Sequence, residues 1–157
     1  MSSHGCVVEW TRGDAAFTDG RYPRAHEWRF DGGAVVRGSS SPHSVKLPFS
    51  DPAAVDPEEA LVAAVSSCHM LWFLSLAAEQ GYVVDSYADT AEAQLGPIGF
   101  GRQGITDIVL RPQVRFSGAR VPEAAAVDAL HHVAHERCYI ANSLRTGVRV
   151  EGGWQVG

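Results

Sequence analysis

The chain has 157 residues, of which 45% are hydrophobic and 20% are charged, and its net charge is −5. This composition is typical of a soluble globular protein, excludes a disordered one, and fits a single domain over residues 1–157. The sequence has no run of basic residues, which argues against nucleic acid as a partner.

The N-terminal region predicts three strands followed by a loop. Residues 6–12 alternate weakly between apolar and polar side chains, as a strand does. Residues 25–30 and 34–38 flank the turn sequence DGG, which is typical of a hairpin. Residues 39–55 are rich in serine and contain three prolines, so we expect a long loop there.

A long helix is predicted from residue 56 to about residue 80. Asp56 is a suitable N-cap, Pro57 suits the first helical position, and the two glutamates that follow favour the positive end of the helix. Gly81 is a plausible C-cap.

The interior of this helix, residues 60–78, is almost entirely apolar and nearly long enough to cross a membrane. Its acidic N-terminal flank shows no positive-inside bias, and four polar side chains interrupt it: Ser66, Ser67, His69 and Ser75. We therefore expect it to lie at the centre of a protein core and not in a membrane.

The C-terminal half predicts three strands and one helix. Residues 82–95 and 104–117 read as two antiparallel strands, with Pro112 indicating an edge position or a bulge in the second. A helix is predicted from residue 121 to about residue 137, and a last strand over residues 145–151. Separate runs of strands and helices favour the α+β class.

Two of the three cysteines are the main candidates for chemistry. Cys68 lies inside the apolar helix, and Cys138 follows the second helix 70 residues later. Each could be an inert buried thiol, or the two could form a reversible disulfide if the fold brings their Cα atoms within about 7 Å. Three scattered cysteines do not make a secreted disulfide scaffold, and no signal-peptide pattern is visible, so we expect a cytoplasmic protein.

A thiol inside an apolar helix needs a nearby cation to become reactive. The sequence offers four candidates: Arg21, Arg24, Arg29 and His69. Glu58 lies ten residues before Cys68, about 80° away around the helix. It either interacts with the helix dipole or orients one of these arginines.

Three histidines cluster on the predicted second helix. His131 and His135 are four residues apart on one face, with His132 beside them. This spacing suits metal ligands but is also common on helix surfaces, so no metal site is expected. His69, next to Cys68, either packs in the core or lines a substrate pocket.

The motifs PEEALVAAVSSC and ERCYIANS resemble those of the OsmC/Ohr family of thiol-dependent organic hydroperoxide reductases. The resemblance implies that Cys68 attacks the hydroperoxide and that Cys138 resolves the product as a disulfide. It matches the family's helix-start glutamate to Glu58. The family arginine matches Arg24 best, with Arg21 as the alternative.

The same resemblance implies an OsmC-like fold, with antiparallel sheets around a long central apolar helix in an intertwined homodimer. It implies an external dithiol as reductant and no cofactor. Two features depart from the characterised reductases, namely His69 directly after the reactive cysteine and the N-terminal stretch RYPRAHEWRF. They leave the substrate preference open.

Two other functions fit the same fold. The protein could bind a small apolar ligand while its cysteines are incidental. It could also bind a metal ion through Cys68, Cys138 and a histidine.

Overall fold

The computed structural model describes residues 1–157, which divide into two compact units, residues 1–60 and residues 61–157. The prediction of a single domain stays a prediction. The protein has nine strands and three helices, so the α+β class is confirmed.

The first unit contains a three-stranded antiparallel sheet in the order β1-β2-β3. Its strands are β1 (Cys6–Glu9), β2 (His26–Phe30) and β3 (Val35–Gly38). The predicted hairpin is confirmed, and Gly33 adopts the positive φ of 88° that its turn requires. The first strand is shorter than predicted. The loop over residues 39–55 is confirmed, with a single bridge between Gly38 and Val55.

Helix α1 (Pro57–Glu79) begins at a reciprocal cap. The Asp56 carboxylate accepts a hydrogen bond from the Glu59 N–H at 2.8 Å, and the Glu59 carboxylate accepts one from the Asp56 N–H at 3.1 Å. This is a capping box, which satisfies two backbone donors at once. Gly81 has a φ of 76° just beyond the last turn, as expected for a C-cap glycine.

The second unit contains two three-stranded sheets, in the orders β4-β7-β9 and β5-β6-β8. Their strands are β4 (Val83–Asp89), β5 (Glu92–Pro97), β6 (Gln103–Leu110), β7 (Pro112–Ser117), β8 (Val148–Val150) and β9 (Gly153–Val156). Pairing is antiparallel between β4 and β7 and between β5 and β6, whereas β8 and β9 pair in parallel with their neighbours.

The prediction of two long strands over residues 82–95 and 104–117 was wrong, because each divides into two strands of different sheets. Asp89 explains where they divide. Its carboxylate accepts a hydrogen bond from the Arg111 N–H at 2.6 Å and another from the Ser66 hydroxyl at 2.5 Å. The backbone donor of Arg111 therefore bonds a side chain at the corner between β6 and β7.

Pro112 lies in a central strand, so the predicted edge position was wrong. It is the first residue of β7, which pairs with β4 on one side and β9 on the other. A first strand position tolerates proline because fewer ladder bonds depend on its missing N–H.

The C-terminal helices are α2 (Ala124–Arg137) and the short α3 (Tyr139–Asn142). The last predicted strand, residues 145–151, shortens to β8, and β9 was missed. Gly152 lies between them against Pro112, and a Cβ atom there would lie 2.7 Å from the proline ring.

Helix α1 supplies much of the core of the second unit. Phe73 and Ala77 pack with residues of β7 and α2, while Val65 packs with Ile108 and Leu110. By length and composition this helix could span a membrane, and 28% of its most apolar window is buried within the chain. Much of its apolar surface is therefore uncovered, and Leu71 is 63% exposed.

Candidate thiol site

The structure brings Cys68 and Cys138 together. Cys68 is half-buried on α1, and Cys138 is fully buried between the end of α2 and the start of α3. The Cys138 Sγ lies 4.0 Å from the Val65 carbonyl, one turn before Cys68 on the same helix face. The Cys68 thiol lies close enough to Cys138 to raise the pKa of the Cys138 thiol, and neither cysteine is in a disulfide.

Cys138 is held in its protonated form at neutral pH. Burial is the main cause, and it raises the pKa of the Cys138 thiol to about 11. The neighbouring Cys68 thiol contributes to this rise of the pKa, while the Ala141 N–H, which donates to Sγ at 3.4 Å, opposes it. Because the thiolate is the nucleophilic form, Cys138 is poorly suited to the first attack on a substrate.

Arg24 belongs to the first unit, where its guanidinium lies 3.7 Å from the centroid of the Tyr22 ring. One of its nitrogens donates to the Gly20 carbonyl at 3.0 Å and also to the Tyr22 carbonyl. Within residues 1–60 it forms no ion pair with Glu58, so the expected pairing of these two side chains is not made here. Its role beside a thiolate stays a prediction.

The other two candidate arginines are in different settings. The Arg29 guanidinium forms ion pairs with Glu9, at 2.8 Å, and with Glu27. These ion pairs hold the Arg29 guanidinium on the surface of the first sheet. The Arg21 guanidinium lies 6.0 Å from the centroid of the Phe49 ring, and no carboxylate of its own unit holds it.

Only one of the two glutamates at the start of α1 takes part in the helix cap. Glu59 forms the capping box with Asp56, whereas Glu58 forms no hydrogen bond within residues 1–60. The Glu58 carboxylate is half-buried. The helix cap thus does not account for Glu58, which leaves it available for the role that the family resemblance implies.

A second polar cluster joins α1 to α2. His69 is buried, and its Nε2 lies 3.0 Å from Nδ1 of His131, with the two rings nearly parallel at 7°. His131 also stacks on Phe73 at 4.3 Å between ring centroids. Of the two alternatives for His69, packing in the core or lining a substrate pocket, the structure shows packing in the core.

The metal-binding alternative lacks a ready ligand set. Among residues 1–157, no three His, Cys, Asp or Glu side chains lie close enough to hold a metal ion. The His132 side chain is exposed to solvent, and its Nε2 lies 3.4 Å from a carboxylate oxygen of Glu136.

The histidine pair makes stability depend on pH. Burial, together with the neighbouring histidines for His69, lowers the pKa of His69 and of His131 from 6.5 to about 4. Asp89 opposes the shift at His69. Between these pH values the unfolded chain binds more protons than the folded one, so stability falls as the pH drops from about 6.5 towards about 4.

We expect the urea midpoint of the wild type to fall markedly between pH 7 and pH 5, at one fixed protein concentration. The expected loss is roughly 1–2 kcal/mol for each buried histidine. A variant with His69→Gln and His131→Gln should lose clearly less over the same interval, whereas the exposed-site control His132→Gln should behave like the wild type. Equal losses in the double variant and the wild type would contradict the assignment.

Comparisons with known proteins identify the family. The model of the OsmC-like protein family matches residues 50–152. A solved OsmC-like protein of unknown function from Vibrio cholerae is 54% identical, with 97% of this chain and 99% of that chain covered and a TM-score of 0.94. The chain belongs to the OsmC-like family.

More distant solved structures share the fold of this OsmC-like protein. An organic hydroperoxide resistance protein from Elizabethkingia anophelis is 18% identical, covers 100% of this chain and 98% of its own, and has a TM-score of 0.68. An organic hydroperoxide resistance protein OsmC from Legionella pneumophila is 16% identical, covers 99% and 98%, and has a TM-score of 0.66. A search of curated proteins gave no match.

Two contacts that shape the site of this OsmC-like protein could not be predicted from its sequence. The Ser66–Asp89 hydrogen bond anchors α1 two residues before Cys68, and His69 bonds His131 one residue after it. Both partners lie far along the chain, so no local pattern could reveal them. The polar residues that interrupt the apolar helix were the available signal.

Proposed function

We propose that this protein is a thiol-dependent peroxidase that reduces organic hydroperoxides. The Cys68 thiolate attacks the terminal oxygen of the hydroperoxide, the O–O bond breaks, and the departing alkoxide takes a proton to become an alcohol. Cys68 is thereby oxidised to a sulfenic acid. The Cys138 sulfur then attacks the Cys68 sulfur, water leaves, and a Cys68–Cys138 disulfide forms. An external dithiol reduces this disulfide by exchange and is itself oxidised.

One observation carries the proposal: a half-buried thiol, Cys68, lies beside a fully buried one, Cys138, close enough to raise its pKa. The more accessible sulfur suits the first attack on a substrate. The buried sulfur of Cys138 suits the second step because its partner, the Cys68 sulfenic acid, forms beside it and needs no access from solvent. The names of the Elizabethkingia and Legionella proteins, both organic hydroperoxide resistance proteins, support the same chemistry at the level of the family.

In this proposal Arg24 stabilises the Cys68 thiolate and the departing oxygen, and Glu58 orients Arg24 through a bidentate pair. The partly free donors of Arg24 and the uncapped carboxylate of Glu58 support these roles. The hydrogen bonds to the carbonyls of Gly20 and Tyr22 both use one guanidinium nitrogen, so the other N–H groups of Arg24 can donate to a carboxylate.

A thiol titration before and after one equivalent of cumene hydroperoxide tests the function. The reduced protein has three thiols, and we expect the peroxide to remove two of them while releasing one equivalent of alcohol. Dithiothreitol should restore both. A protein that only binds apolar ligands would lose few thiols. In a metal-binding protein, added Zn²⁺ would block the loss.

We further propose that the protein is a homodimer. Helix α1 is apolar on all sides, yet 28% of its most apolar window is buried within one chain. A second copy that covers exposed residues such as Leu71 would remove this apolar surface from water. Light scattering at micromolar concentration should give twice the chain mass, and the melting temperature should rise with protein concentration. A monomer under those conditions contradicts the proposal.

We also propose a cytoplasmic location, and the reason is the reductant that the proposed cycle requires. The cycle needs a dithiol that returns Cys68 and Cys138 to their reduced form, and reducing compartments supply one. Cell fractionation followed by thiol labelling of the protein tests this.

A further inference from the structure

A pocket lies between helix α2 and the strands β8 and β9, and all of its lining residues belong to the second unit. We call it the α2 pocket. Its volume is about 360 Å³, which falls within the range of small-molecule sites, about 300–1,000 Å³. Its apolar lining consists of Val127, which is buried, and of Val148 and Val150, which are half-buried. The α2 pocket therefore has the size and the apolar lining that a small molecule needs.

Trp154 supplies an aromatic wall of the α2 pocket. Its ring meets the fully buried Phe116 ring edge-on, with 6.2 Å between the centroids and 81° between the planes. The backbone of Trp154 is also fixed, because β9 pairs with β7 in the register Val114 to Trp154. The side chain is nevertheless 37% exposed. An anchored and partly exposed indole ring is the aromatic surface that attracts cations most strongly.

The charges around the α2 pocket also favour a cation. No lysine or arginine lines it, whereas two carboxylates do, those of Asp128 and Glu151. The Glu151 carboxylate forms ion pairs with Arg149 and, at 3.9 Å, with Arg111, so its charge is offset. The Asp128 carboxylate is exposed and forms no ion pair or hydrogen bond within residues 61–157. Its unpaired negative charge attracts a cationic ligand and repels an anionic one.

His131 adds a neutral polar group to this lining. Its Nδ1 is bonded to His69 at 3.0 Å, so Nε2 is the ring nitrogen left for a ligand. Burial lowers the pKa of His131 to about 4, so the ring is uncharged at neutral pH and does not repel a cation. When the proton between the two rings is carried by Nδ1 of His131, its Nε2 is a hydrogen-bond acceptor. An ammonium N–H is a suitable donor to it.

A bare metal ion fits the α2 pocket less well than an organic cation. No three His, Cys, Asp or Glu side chains of the chain lie close enough to hold a metal. The aromatic and valine surfaces also need an apolar partner, which a metal ion does not provide. A protonated amine with an apolar body supplies both parts.

We infer that the α2 pocket is a binding site for a small organic amine in its protonated form. The ammonium group pairs with Asp128 and donates to Nε2 of His131, and the apolar body packs on Trp154. This assignment does not rest on the proposed peroxidase cycle, because neither Cys68 nor Cys138 lines the pocket. It gives the protein a second site whose ligand differs from a hydroperoxide in both charge and chemistry.

Three probes that share a phenyl ring and differ in charge test this assignment at neutral pH. They are 2-phenylethylamine, which is cationic, 2-phenylethanol, which is neutral, and 3-phenylpropanoate, which is anionic. NMR titration of the reduced full-length protein measures each dissociation constant from the shift of the Trp154 indole N–H signal, which Trp154→Phe assigns. We expect the amine to bind at least about tenfold more tightly than the alcohol, because it adds an ion pair and a cation–π contact. The anion should bind more weakly than the alcohol.

Asp128→Asn should weaken binding of 2-phenylethylamine about fivefold and leave binding of 2-phenylethanol as in the wild type, since the change removes only charge. Glu123→Gln is the matched control. Glu123 is an exposed acidic residue directly before α2, outside the pocket, and its side chain makes no capping hydrogen bond. It removes the same charge from the chain and should leave binding of all three probes unchanged. Circular dichroism checks the fold of each variant.

Equal binding of the amine and the alcohol, tighter binding of the anion, or no binding of the amine at millimolar concentration overturns the assignment. An equal effect of Asp128→Asn and Glu123→Gln also overturns it, because the attraction would then come from the net charge of the protein. The Cys68→Ser variant should bind the amine as the wild type does. Amine binding in a protein that reduces no peroxide would reject the proposed cycle alone, whereas normal turnover without amine binding would reject the α2 pocket alone.

Discussion

Cys68→Ser is expected to abolish peroxide reduction while leaving the fold intact. Serine is nearly isosteric with cysteine, but its hydroxyl stays protonated and does not attack an O–O bond at neutral pH. Turnover of cumene hydroperoxide with dithiothreitol as reductant measures the loss, which we expect to be at least about a thousandfold, a barrier increase of about 4 kcal/mol. Full turnover in this variant would reject Cys68 as the nucleophile.

Cys138→Ser is the informative companion, because it should stop the cycle one step later. The first peroxide should still oxidise Cys68 to a sulfenic acid, which then has no neighbouring thiol to condense with. Excess peroxide should carry it on to sulfinic and sulfonic acids. Mass spectrometry distinguishes these products. A disulfide between Cys6 and Cys68 in the oxidised wild type would instead move the resolving role to Cys6, which is exposed on strand β1.

Arg24→Ala is expected to slow peroxide attack by orders of magnitude. A fixed guanidinium near Cys68 favours the thiolate, which is the reactive form. Its loss should move the pH profile of iodoacetamide alkylation at Cys68 to higher pH. Arg24→Lys should rescue only part of the activity, because an ammonium group cannot pair bidentately with a carboxylate.

Arg21→Ala is the matched control for this prediction, since Arg21 lies three residues earlier in the same segment and was the alternative in sequence analysis. It should leave the alkylation profile close to that of the wild type. If Arg21→Ala shifts the profile and Arg24→Ala does not, Arg21 takes the role. If neither variant shifts it, the activating cation lies elsewhere in the protein.

The elements with strong local signals were predictable from the sequence. Asp56, Pro57 and Gly81 gave the bounds of α1 to within a residue or two, because caps act through the adjacent backbone. The corner at Asp89 was not predictable. The alternation of residues 82–95 continues through it, and the hydrogen bond that divides the strands comes from Arg111, 22 residues away.

The candidate site, like the fold, was predictable from the sequence only in part. Both cysteines could be chosen from their residue type and from the family motifs, and the structure brings them together. The sequence could not show which of them is buried, because that depends on how the end of α2 packs against α1. Nor could it show that Glu59, and not Glu58, completes the helix cap.

The adjacent carboxylates at the start of α1 have a consequence for how this protein can change over evolutionary time. Glu59 is tied to the backbone of Asp56, so its replacement is a matter of how much folded protein a cell retains. Glu58 is not tied to that cap, so in the proposed cycle its replacement is a matter of how fast each molecule works. Selection for abundance and selection for rate therefore act on neighbouring positions independently. A lineage that abandoned peroxide chemistry could lose the first carboxylate while retaining the second.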